Sequence, residues 1–244
     1  MCGSFNHGQA CIAGSRIFVQ SGIYDKFLAK LTESAKAIKL GDPFVIDTTQ
    51  GPLVSQTQFD VRLFRFGIKR PLTKYLQRVM GYIKSGKEDG ATVHCGGEQE
   101  GSKGFYVKPT LFTDVGADMK IMREEIFGPV GAVVKFEDEE GIYICFLMTF
   151  SSQFICCYKD IIKKANDTIY GLAAYVFSQN LTRAIESAHK LKAGSVWVNC
   201  GILVSPSVPF GGYKQSGFGR ENGQYALDEY VVNRYYERRI TNGE

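Results

Sequence analysis

The order of patterns along the chain limits the fold more than any single motif does. The segment "RIFVQ" (16–20) reads as a strand, and "IYDKFLAKLTESAKAIKLG" follows with Tyr24, Phe27, Leu28, Leu31, Ala35 and Ile38 on one helical face and Gly41 as the stop. Further strand candidates are "ATVHCGG", "YVKPTLF", "VGAVVKF", "AAYVFS" and "GSVWVN", with a helix "NLTRAIESAHKLKAG" between the last two. Strands alternating with amphipathic helices imply an α/β layered domain.

Two stretches break this order. When 61–77 is cut out, "QTQFD" joins "RVMGYIKSGKEDG", and Phe59, Val79, Met80 and Ile83 fall at i, i+3, i+4 and i+7 of one amphipathic helix. Cutting 141–159 joins "FEDEE" to "DIIKKANDTIYG", an acidic helix start running into the apolar face of Ile161, Ile162 and Ala165. Both segments are therefore read as foreign insertions, expected to be the least ordered parts of the fold or to form extra surface elements that leave the surrounding strands intact. The genetic code allows each to be a translated intron. Residues 142–158 are largely apolar, but the run is shorter than the ~20 residues that a membrane span needs and holds Ser151, Ser152 and Gln153 midway. No membrane partner is expected.

Composition enters through charge. The formal net charge is +4, yet the two segments alone carry Arg62, Arg65, Lys69, Arg70, Lys74 and Lys159 and no acid, so removing them leaves −2. The basic character is local, which argues against a nucleic-acid partner. The seven cysteines are odd in number, scattered and without CxxC spacing, so free thiols are expected. The first residues show neither a basic n-region nor an apolar h-region, which makes a cytoplasmic setting the default and gives the sequons at Asn166 and Asn180 little meaning.

Three motifs dissolve on inspection. "GYIKSGKE" has the spacing of a phosphate loop, but Glu88 stands where Ser or Thr would hold Mg²⁺, so a helix tail is expected. The glycines of "FGGYKQSGFGRENG" do not open a helix after a strand, as a dinucleotide fingerprint must. His7, His94 and His189 are dispersed, so no metal site is expected.

Cys11, in "FNHGQACIAGSR" (5–16), reads two ways. A single cysteine is ordinarily a small buried hydrophobe. Here Gly8 permits a tight backbone, and the residues after Cys11 can start a helix whose N-terminal dipole lowers a thiol pKa, which suits a thiolate nucleophile. A Cys–His hydrolase would need a base; His7 is four residues away, and nothing in the sequence orients it.

"FNHGQACIAGSR", "REEIFGPV" (123–130), "YGLAAYVFS" (170–178), "AGSVWVNC" (193–200) and "PFGGYKQSGFGRE" (209–221), in this order, resemble the aldehyde dehydrogenase superfamily, its fungal members most. The resemblance covers Phe5 to about Arg238, apart from the two segments. It implies that the Cys11 thiolate attacks an aldehyde carbonyl, that the Cys11 backbone N–H helps to hold the oxyanion, and that hydride passes to NAD or NADP before water hydrolyses the thioester. By the same resemblance Glu125 holds the nicotinamide-ribose hydroxyls, Phe127 packs beside the ring, Glu221 helps order water near the thiol, and Asn199 and Phe210 line the approach to the cysteine. Without it, Glu125 is an exposed turn carboxylate, Phe127 and Phe210 are core rings, Asn199 is a strand-end turn residue and Glu221 a surface ion-pair partner. Trp197 reads as core rather than as a substrate contact.

In that family the cysteine motif lies past the middle of the chain. The expectation is thus a C-terminal portion: a catalytic domain over 1–228 and an oligomerisation segment over 229–244, homo-oligomeric when full length. The dinucleotide-binding domain, the general-base glutamate and the asparagine that completes the oxyanion hole would be missing, and the chain alone would be inactive or nearly so. The alternatives are a non-catalytic fragment that associates with intact subunits and a cysteine hydrolase.

Overall fold

A computed structural model describes residues 6–55, 58, 78–137, 144–148 and 158–231, with the backbone alone for 144–148, 158–160 and 229. The segment 61–77 and residues 232–244 of the expected oligomerisation segment lie outside the described residues.

A seven-stranded sheet organises the chain: β1 (Arg16–Gln20), β2 (Thr92–Cys95), β3 (Thr110–Thr113), β4 (Val130–Phe136), β5 (Ile144–Met148), β6 (Ala173–Ser178) and β7 (Ser195–Val198), in the spatial order β2-β3-β4-β1-β5-β6-β7. β1 is buried at every residue, as a strand covered on both faces must be. Period-two alternation sends Ile17 and Val19 to one face and Phe18 to the other. On the first face α1 (Ser21–Lys36) lays down Tyr24, Phe27, Leu28 and Leu31; the Gln20 side chain accepts from Gly22 N at 2.8 Å to start it, and it stops short of Gly41. On the second face Val79 and Ile83 of α2 (Arg78–Glu88) join Ile121 and Met122 of α3 (Lys120–Arg123), Ile161, Ile162 and Ala165 of α4 (Tyr158–Asn166) and Ala184 of α5 (Leu181–Lys190). Helices cover both faces, so the α/β layered reading holds.

β3 begins only after Pro109, which has no N–H to give a ladder, so "YVKPTLF" contributes just its last part and Thr113. The false phosphate loop is the body of α2, where a Cβ on Gly86 would press on Phe112 and Ile121. Both sequon amides are engaged: Asn180 Oδ1 caps α5 by accepting from Arg183 N at 3.0 Å, and Asn166 bonds Lys190 O and Lys192 N.

One expectation needs correcting. Ile144–Met148, inside the second segment, is not a surface element: it pairs antiparallel with β1 on one side and β6 on the other, in the middle of the sheet. Its run of strand-favouring residues outweighs its irregular place in the α/β order. No helix among the described residues is long and apolar enough to cross a membrane, and none of their His, Cys, Asp and Glu side chains cluster as a metal site.

Candidate active site

Cys11 sits on a loop held open by its neighbours. Asn6, His7 and Gly8 are all left-handed (φ 49, 59 and 68°), a conformation that costs Asn6 and His7 more than it costs Gly8. Two side chains fasten it to the 50–54 stretch: His7 Nε2 accepts from Gly51 N at 3.0 Å, and Gln9 Oε1 accepts from Val54 N at 3.0 Å. A turn closed by Ala13 N donating to Ala10 O (2.9 Å) then puts Cys11 at an exposed corner. The exposure is at odds with a buried hydrophobe. No helix follows Cys11, contrary to the sequence expectation: the turn runs into β1, whose central place in the sheet claims the residues a helix would need. The Cys11 backbone N–H has no acceptor among the described residues. His7, with Nε2 committed to Gly51, is not aimed at the thiol as a base.

Burial holds His7 below its ordinary value of 6.5, so the fold prefers the neutral ring. A depressed folded pKa means that this contribution to stability is whole above the unfolded value and is lost as pH falls through the folded one. Urea midpoints measured at pH 7.5 and pH 5 should therefore decline toward acid, and His7→Gln should flatten the decline.

The second loop, Glu124–Phe127, is gripped by its backbone carbonyls. Arg16, fully buried on β1, donates to Glu124 O at 2.7 Å; Arg78 of α2 donates to Glu125 O at 3.4 Å; Gln58 Nε2 donates to Phe127 O at 2.5 Å. Burial pushes the Arg16 guanidinium down to about 9, still charged at neutral pH. Phe127 is left-handed (φ 56°), and Glu125 and Phe127 are half-buried. The Glu125 carboxylate accepts no hydrogen bond among the described residues, which leaves it open to a pair of hydroxyls.

The two loops touch. Gly8 packs so closely on Gly128 that a Cβ at Gly8 would run into the Gly128 carbonyl, and the residue is left-handed as well. Gly8→Ala should cost about 3 kcal/mol, the scale of a backbone clash added to conformational strain, read as a lowered urea midpoint.

The remaining predicted residues lie beyond β6. Asn199 (φ 54°) closes the ends of β6 and β7, its amide accepting from Ser178 N at 2.8 Å and donating to Ser178 O at 2.9 Å. Phe210 and Glu221 are joined by reciprocal backbone bonds of 2.7 and 2.8 Å, with Glu221 exposed and Phe210 half-buried in the wall of a cavity of about 230 Å³ beside Trp197 and Leu203. Cys11 is not in that wall. Trp197 is half-buried, stacks on Tyr175 at 4.9 Å and donates to Leu203 O at 3.0 Å. The glycines of "FGGYKQSGFGRE" serve close backbone packing: a Cβ on Gly194 would strike the carbonyl of Gly211.

Sequence reasoning missed Tyr175. Its hydroxyl donates to Ile12 O at 2.8 Å across 163 positions, tying the thiol loop to the Trp197 wall, and no local pattern announces such a contact. It also missed the carbonyl grip of Arg16, Arg78 and Gln58.

A sequence model of the aldehyde dehydrogenase family matches residues 1–63, 72–145 and 147–235. Its two interruptions fall inside the two segments that break the α/β order. The chain is 54% identical to an aldehyde dehydrogenase of Agaricus bisporus and 50% identical to one of Aspergillus niger, each over 227 residues. These alignments take in 93% of this chain but only 38% of the relatives' length. Among solved structures, an NAD⁺ complex of the aldehyde dehydrogenase from Bacillus cereus aligns at TM-score 0.77 and 43% identity, over 94% of this chain and 39% of that one. Betaine aldehyde dehydrogenase from Staphylococcus aureus, also with NAD⁺, aligns at TM-score 0.76 and 38% identity, over 94% of this chain and 39% of that one. With a matching family model over most of its length and the cysteine and glutamate loops locked together in one fold, this chain belongs to the aldehyde dehydrogenase family.

Proposed function

We propose that the protein containing this chain oxidises aldehydes to carboxylic acids with NAD or NADP, and that this chain supplies its nucleophile. The observation that carries the reading is the contact of Gly8 with Gly128, which sets the exposed Cys11 loop directly against the loop of Glu125 and Phe127.

The Cys11 sulfur forms a bond to the carbonyl carbon, and the oxygen takes up negative charge beside the unengaged Cys11 N–H. Nicotinamide, when bound, accepts the hydride. Glu125, whose carboxylate accepts no hydrogen bond among the described residues, would receive two ribose hydroxyls, and Phe127 would pack beside the ring. Loss of hydride leaves a thioester on Cys11. Water then adds to its carbonyl carbon, the C–S bond breaks, and the acid departs while the thiol is regenerated. Glu221 orders that water, and Phe210 borders the approach of the aldehyde. Residues 229–244 join a neighbouring subunit in a homo-oligomer.

The test is the whole protein. Acetaldehyde should drive NAD(P)H formation, and alkylating Cys11 with iodoacetamide should abolish it in step with the mass added to that residue. A whole protein that forms no NAD(P)H with any aldehyde while Cys11 is intact would refute the reading. His7, occupied by Gly51, offers a hydrolase no base.

A further inference from the structure

Five of the seven strands run the same way. β1, β3 and β4 are parallel neighbours, and β6 is parallel to β7. β5 is antiparallel to both β1 and β6, so β1 and β6 point in one direction with a single reversed strand between them. Mostly parallel sheets commonly carry a reversed strand at the edge, as β2 does here, whereas β5 is reversed between two strands of one direction.

The connection from β4 to β6 also holds one return too many. A parallel step needs one crossing back over the face, ordinarily a helix. α4 makes that crossing: its last residue, Asn166, bonds Lys190 O (2.8 Å) and Lys192 N (2.7 Å) at the end of α5, so α4 and α5 both end where β6 and β7 start. Ile161, Ile162 and Ala165 of α4 share a core with Ala174 and Val176 of β6. β5 reverses the chain a second time, within the segment 141–159 whose removal restores an amphipathic helix start.

We infer that Ile144–Met148 is a wedge that the fold does not require, and that without it β1 and β6 pair directly in parallel. The register across β5 supports the closure: Ile17 stands opposite Leu147 and through it Tyr175, and Phe18 opposite Phe146 and through it Val176. Ile17 and Tyr175 already belong to the α1 face, and Phe18 and Val176 to the other. Closing the gap keeps every side chain on its own face, where a one-residue slip would invert them all. One further consequence rests on the proposed function. Cys11 lies on the β1 side of the wedge and Phe210, in the cavity wall with Gly194 and Trp197, on the β7 side, so the wedge adds one strand spacing, about 4.8 Å, between the nucleophile and the ring bordering the aldehyde.

The experiment compares this chain with a variant lacking 141–159, in which Glu140 joins Asp160. The variant should unfold cooperatively with a midpoint higher by about 5 °C or more, and its backbone amides should give NMR cross-peaks between 17–19 and 175–177. Loss of cooperative unfolding in the variant, or a folded variant without those cross-peaks, overturns the inference. Phe146→Pro guards against a deletion that fails for reasons at its junction: proline in a required central strand is not tolerated, whereas here it should lower the midpoint by less than Phe18→Pro does. Equal losses overturn the inference. None of these readouts involves catalysis, so they stand if the aldehyde reading falls. In the whole protein the same deletion should raise aldehyde-dependent NAD(P)H formation at least tenfold, and no gain with the cross-peaks in place would overturn the site consequence alone.

Discussion

Cys11→Ser in the whole protein is expected to lower aldehyde oxidation by about 10⁴-fold or more, on the scale seen when a covalent nucleophile is removed from an enzyme. A serine hydroxyl is a far weaker nucleophile than a thiolate, and the nearest histidine accepts from Gly51 N and is not placed to take its proton. Cys200→Ser is the control. Cys200 is half-buried, lies past Asn199 at the end of β7, and should change turnover far less. Rates for both variants, with circular dichroism to show that each is folded, decide the matter. Equal losses would mean that Cys11 is not the nucleophile.

Residues 1–244 assayed alone should turn over below about 10⁻³ s⁻¹, against the ~10 s⁻¹ of a typical enzyme. The chain spans 38% of the length of the curated relatives it matches, and the family resemblance puts the general-base glutamate and the second oxyanion donor outside it. A lost oxyanion donor costs roughly 10²- to 10³-fold, and a lost general base about 10²-fold or more. The product, about 10⁴- to 10⁵-fold, already reaches the predicted drop before weakened cofactor affinity is considered. Purified chain, NAD and acetaldehyde suffice for the assay, and turnover within about tenfold of the typical value would show that the described loops are enough.

Much of the scaffold was legible because its pieces obey local rules. "RIFVQ" is a strand whose residues alternate between two cores, and the Tyr24, Phe27, Leu28 and Leu31 face of α1 follows from helical spacing alone. Asn180 announces α5 by its cap. What escaped depends on distance. β5 reads in the sequence as a peripheral piece, since periodicity measures how a segment faces its surroundings and says nothing about which neighbours it pairs with. The helix expected after Cys11 failed for the same reason: sheet pairing across 116 residues, Arg16 with Ala132, overrides the local preference. In the site, resemblance named Cys11, Glu125 and Phe127, but the grip on the glutamate loop by Arg16, Arg78 and Gln58 joins residues scattered from 16 to 127, and only the folded chain brings them together.

Tyr175 gives the molecule a built-in optical probe. The chain has a single tryptophan, so all indole emission comes from Trp197. That ring lies at 4.9 Å and 14° on Tyr175, whose hydroxyl holds the carbonyl of the residue next to Cys11. Any chemistry that displaces the cysteine turn tugs on Ile12, hence on the phenol and on the indole stacked against it. Alkylation of Cys11 should therefore shift the emission maximum of an otherwise unlabelled protein, and Tyr175→Phe, which keeps the stack but cuts the tether, should silence the signal while leaving the alkylation itself unchanged.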